Sequence, residues 1–144
     1  MIETRLRTLQ LGLAGFGFIG LLVELLLQGH TSGALQWTPI ILIGLGLLGV
    51  ALGLFAPKRW VVVGLRVVGP LIAVGAALGV VLHLSAAMAA ERELIGDAAF
   101  GELLQGVLLV YHPPLLAPGA LAVGGLLLVA CTYRHPAIES RGNG

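Results

Sequence analysis

Residues 39–57 read PIILIGLGLLGVALGLFAP, with no charged side chain anywhere in the run. A helix needs about 20 mostly apolar residues to cross the hydrocarbon core of a bilayer, and this stretch has that length. Pro39 suits a first helical turn, where its missing N–H has no intrahelical acceptor to lose. Working outward, three more segments have the same character: 8–28, 61–83 and the shorter 118–133, which Pro118 opens as the expected first helical residue. The expected fold is an all-α membrane protein, a single four-helix transmembrane domain over residues 1–144.

Composition agrees. The chain is 58% hydrophobic and 10% charged, against about 45–50% apolar and about 25% charged in soluble domains. A water-soluble fold of this length would lack the polar surface to cover so much apolar side chain. The net charge of +1 provides no basic field for nucleic acid. The single cysteine, Cys131, rules out an internal disulfide or a cysteine-based metal knuckle. Residues 1–30 are expected to stay as a helix rather than act as a signal peptide. Their apolar run, Leu9 to Leu27, exceeds the usual 7–15-residue core and contains Glu24.

Cations set the orientation. Arg5, Arg7, Lys58, Arg59, Arg66, Arg134 and Arg141 fall on one side of the four spans, and only Arg92 on the other. The first side is expected to be cytoplasmic, so both termini are inside. Trp37 and Trp60 stand at span ends, where amphipathic rings favour the headgroup level. Arg66 is about 9 Å past Trp60 at 1.5 Å per residue and can snorkel back to the interface. Pro70 is expected to kink the third helix. Gly49-xxx-Gly53 and Gly75-xxx-Gly79 have the small-xxx-small spacing that brings helices close in lipid; packing within one chain is favoured over a self-association seam.

The connection from Leu84 to Pro118 faces outward. Ser85 to Ile95 can prolong the third helix, Gly96 ends it, and Asp97 can cap a further helix. In that outer helix, 98–111, Phe100, Leu103, Leu104, Val107, Leu108 and Tyr111 recur with helical period. The stretch from His112 to Gly119, with three prolines, cannot be regular helix.

Few polar groups could carry chemistry. Glu24 is the sole carboxylate within a span, about 25 Å along the helix from Arg7, and an intramembrane acid is a functional candidate by default. Gln28, one turn on, can hydrogen-bond to it. His30, His83 and His112 gather toward the same side and with Glu24 could ligate zinc, copper, iron or a haem, although no E-x-x-H spacing supports such a cofactor. His135 lies on the opposite side. No P-loop, G-x-S-x-G or C-x-x-C occurs, and Gly15-x-Gly17-x-x-Gly20 lies inside a span with no preceding strand. No repeat relates the two halves, so an inverted-repeat transporter plan has no support. The leading expectation is a non-enzymatic accessory or structural subunit. The alternatives are a small transporter using Glu24, or a metal- or haem-binding protein with its site at the outer mouth.

Gly29-His30, Trp37-Thr38-Pro39, Leu82-His83, Leu116-Ala117-Pro118-Gly119 and Thr132-Tyr133-Arg134-His135-Pro136 together resemble a family of small uncharacterised bacterial four-helix membrane proteins. The resemblance spans most of the chain and implies a bacterial inner membrane. It implies no activity. The uncharged loop after His30 departs from the more usual acidic one.

Overall fold

The computed structural model describes residues 2–29, 31–96, 99–111 and 116–139. Among these, every regular element is helical. Helix α1 is Ile2–Leu27, a single 3₁₀ turn Ala34–Gln36 leads into α2, Trp37–Phe55, and α3 is Arg59–Ile95. A short α4, Phe100–Gly106, passes into a π-type turn over Val107–Tyr111, followed by α5, Leu116–Ala130, and α6, Pro136–Glu139. Helices α1, α2, α3 and α5 form an up-down-up-down bundle in which α5 packs chiefly on α3 and α1.

Three helices, α1, α2 and α3, are long and apolar enough to cross a membrane. The expected fourth span, 118–133, is realised as the 15-residue α5, which rises about 22 Å and falls short of the usual span length. Its chain breaks into turns at Cys131–Arg134. Both prolines expected to open helices sit two places deeper: α2 begins at Trp37 and α5 at Leu116, so Pro39 and Pro118 are third residues. The first four N–H groups of a helix have no intrahelical acceptor, so either placement costs the helix nothing. Pro70 lies inside α3, which continues through it for 37 residues.

The expected amphipathic helix 98–111 is not one helix. Only Phe100–Gly106 is α-helical, and the wider π turn that follows shifts the register of later side chains. Leu103 and Val107 are fully buried, while Phe100 and Leu108, assigned to the same stripe, are exposed. The Glu102 carboxylate accepts the Ala99 N–H at 3.2 Å, one half of a capping box. Asp97, the expected cap, lies outside the described residues. Gly96 does end α3, with φ +71° and its N–H on the Arg92 carbonyl at 3.0 Å.

Packing explains a part of the glycines in the helices; others, such as Gly12, Gly17 and Gly44, face open space. In α1 the buried positions Leu11, Ala14, Phe18, Leu21 and Leu25 alternate spacings of three and four, the seam of left-handed helix packing. The Phe18 ring is wedged between α2 and α5: a Cβ added at Gly46 or at Gly124 would stand 2.6 Å from it. Between α3 and α5 the backbones themselves meet, since a Cβ on Gly69 would be 2.6 Å from the Gly125 carbonyl oxygen. Gly49 and Gly53 face Leu65 and Leu11 of the same chain, and Gly75 faces Leu42. The outward faces are equally apolar, with Phe16 81% and Phe55 86% exposed. In water such surface would be a liability; lipid is its natural solvent.

Candidate functional site

The bundle has two dissimilar ends. At the end where the α1 start and the α5 end meet, two arginines hold the turn that follows α5. The last carbonyls of a helix lack intrahelical donors; here the turn supplies them, with Cys131, Thr132 and Tyr133 N–H donating to the Leu127, Val129 and Ala130 carbonyls. Arg66 fixes that turn with a fork: its Nε donates to Thr132 Oγ1 at 3.1 Å and its Nη2 to the Thr132 carbonyl at 3.0 Å. Arg7 Nη2 donates to the Arg134 carbonyl at 2.7 Å, within reach of the Tyr133 carbonyl at 3.3 Å and Glu3 Oε2 at 3.4 Å. Arg66, expected to reach for the interface, bonds instead to Thr132 in the turn after α5. A pocket of about 270 Å³ lies beside this network, lined in part by Thr8, Leu65, Thr132 and His135. Burial, then the positive charges of Arg7 and Arg66, hold the His135 imidazole below its ordinary pKa of 6.5.

The opposite end carries the larger opening, a cleft of about 760 Å³ that reaches from Leu21 and Ile43 out to His83 and Ser85. Four elements build it. Leu21 and Leu25 of α1, Leu42 of α2, Leu78 and Leu82 of α3 and Leu121 of α5 give an apolar wall. The floor is open because α3 presents Gly75, Ala76 and Gly79 there, and a Cβ on Gly79 would find only Pro118 at 4.0 Å. Polar groups sit toward the mouth: Gln28, Gln36, Thr38, His83 and Ser85.

Two of the residues expected at the mouth meet in this cleft. Gln28 and His83 share the cleft wall. Gln28 Nε2 donates to Glu24 Oε1 at 3.1 Å, as their one-turn spacing implies. Glu24 itself is exposed and stands outside the cleft lining. His30 and His112 lie outside the described residues. Among those described, no group of three or more His, Cys, Asp or Glu side chains gathers to hold a metal. His135 lines the other pocket, at the opposite end of the bundle, as expected.

Gln36, Thr38 and Ser85 were not singled out from the sequence. The first two flank Trp37, whose position at a span end was the one available sign that this loop lies at the cleft mouth. The amide of Gln36 is oriented by its partner: Ser32 N–H donates to Gln36 Oε1 at 2.7 Å, and a backbone N–H can meet only the amide oxygen. Ser85 Oγ donates to the Leu82 carbonyl at 3.0 Å. Comparison with family models, curated proteins and solved structures returns no match, so the likeness to small bacterial membrane proteins stands on its short motifs alone.

Proposed function

We propose that this chain is a multi-pass protein of a bacterial inner membrane, with four spans and both termini cytoplasmic, whose outward cleft holds the apolar part of a small amphiphile. It serves as a non-enzymatic accessory component of that membrane. Several observations support the topology. The α5 helix packs antiparallel along α3 and beside α1, which supports a fourth pass beside the longer helices. Arg7 bonds to the Arg134 carbonyl, which joins the start of α1 to the chain after α5. The cations at that end follow the positive-inside pattern.

The observation that carries the functional reading is the cleft. Its volume, about 760 Å³, falls in the range of about 300–1,000 Å³ typical of small-molecule sites. Its wall is hydrocarbon and its polar groups are confined to the mouth. Glu24 does not line it, and this weighs against a small transporter working through that acid. The absence of a ligand cluster among the described residues gives a metal or haem centre no added support.

Native mass spectrometry of detergent-released protein tests the reading. Gly79→Phe adds a ring at a cleft position where the first added carbon meets only Pro118, at 4.0 Å. A discrete one-to-one adduct on the wild type, lost in Gly79→Phe, is the expected result. A spectrum free of adducts, or one that the filled cleft leaves unchanged, refutes cleft binding.

A further inference from the structure

The cleft's polar groups define what head the occupant carries; this rests on the amphiphile reading above. Among the described residues, no Asp, Glu, Lys or Arg lines the cleft. A charged head drawn in here would lose water and gain no opposite charge, a loss that hydrocarbon walls make severe. The mouth groups, His83 among them, offer both donors and acceptors. Gln36 accepts Ser32 N–H on its carbonyl oxygen, which turns its amide NH₂ outward as a donor. Gln28 gives one NH₂ hydrogen to the Glu24 carboxylate and keeps its carbonyl and a second N–H. Ser85 spends its hydroxyl hydrogen on the Leu82 carbonyl and so offers lone pairs. The Thr38 hydroxyl can do either.

A hydroxyl both donates and accepts, and so suits a mouth that offers both donors and acceptors. We infer that the cleft binds an uncharged, single-chain amphiphile with a hydroxylated head, of the chemistry of a monoacylglycerol or a long-chain alcohol. The chain lies along Leu25, Leu42, Leu78, Leu82 and Leu121, and the head rests between Gln28, Gln36 and Ser85. One chain fits the volume; the second chain and charged phosphate of a bilayer phospholipid do not suit this site. Neutral hydrogen bonds discriminate because a head that covers the mouth without pairing takes the half-buried Gln36 amide out of water with nothing in exchange.

Tryptophan quenching tests this. Trp37 adjoins Gln36 and Thr38 in sequence, and Trp60 begins the far end of α3, so Trp60→Phe leaves one reporter at the mouth. The full chain is reconstituted in phosphatidylcholine nanodiscs and titrated with dibromostearoyl glycerol, then with dibromostearic acid at a pH where the acid is ionised. Saturable quenching by the glycerol ester, roughly tenfold or more weaker for the acid, is the expected result. In the Gly79→Phe background the saturable part disappears. Gln28→Leu, and independently Gln36→Leu, weakens the ester several-fold and narrows its preference over the acid. Equal saturable quenching by ester and acid, both lost in Gly79→Phe, overturns the hydroxyl reading and leaves cleft binding standing. Quenching that only rises linearly with probe content, for both probes, overturns the cleft reading as well.

Discussion

Replacing Gly69 by alanine places a methyl carbon 2.6 Å from the Gly125 carbonyl oxygen and 2.6 Å from Val129 Cγ2. The valine can rotate; the carbonyl belongs to the α5 backbone and cannot. Relief requires α3 and α5 to move apart by roughly 0.5–1 Å, a gap that already forfeits a quarter to a half of the dispersion energy across a contact. Overpacking of this kind costs about 1–3 kcal/mol. Alanine returns up to about 1 kcal/mol through its better helix propensity. With the full offset the net loss is up to about 2 kcal/mol, which lowers Tm by as much as roughly 8 °C for a chain of this length. The assay is thermal denaturation in a mild detergent, followed by size-exclusion chromatography of the remaining folded protein. Gly44→Ala is the matched control: that glycine meets nothing within 4 Å, so the same substitution is neutral or slightly stabilising. A Gly69→Ala protein that melts at or above the wild type, or no lower than Gly44→Ala, refutes the close crossing of α3 and α5.

Four further outcomes follow from the geometry. Arg66→Met removes both bonds to Thr132 and should cost about 1–3 kcal/mol in the same assay, with Arg66→Lys restoring only part because an ammonium lacks the planar fork. Pro118→Ala should change stability by about 1 kcal/mol or less, since the third residue of α5 needs no N–H acceptor; collapse of expression would contradict that helix start. His135 has a lowered pKa in the fold, so the unfolded chain binds its proton first: stability should hold above the ordinary value of 6.5 and fall as pH drops below it, and His135→Gln should flatten that slope. In a Cys131→Ser background, a cysteine at Ser32 should react with an impermeant thiol reagent on intact cells and one at Ser140 should not; labelling at Ser140 would reverse the proposed orientation.

The helices were legible because hydropathy over long windows is a one-dimensional signal, and α1, α2 and α3 carry it without interruption. Their ends were less so. Pro39 and Pro118 mark the first turn of a helix without marking which residue of it they occupy, and both lie two places further in than expected. The length of α5 was overread because Cys131, Thr132 and Tyr133 are apolar enough to extend a helix in composition while the chain turns there. The outer helix was misjudged for a related reason: a regular α period was assumed through Gly106, where the chain widens into a π turn. Of the candidate site, the Glu24–Gln28 pair was readable from its spacing. The cleft was not, because it is a space left where Gly75, Ala76 and Gly79 fail to fill the gap between helices. The partner of Arg66 was equally hidden, since Thr132 is remote in sequence.

That separation bears on the order in which the molecule is assembled. Arg66 belongs to the third helix and its acceptors to the turn after the last, so during synthesis the guanidinium emerges before anything exists to receive it. Until α5 follows, the register of the three long helices rests on side-chain packing alone, with Phe18 against Gly46, Leu65 against Gly49 and Leu42 against Gly75. The arrival of Thr132 supplies the hydroxyl and carbonyl that hold Arg66 at one height, while Arg7 does the same for α1 through Arg134. The shortest helix of the bundle is thereby the latch that closes it.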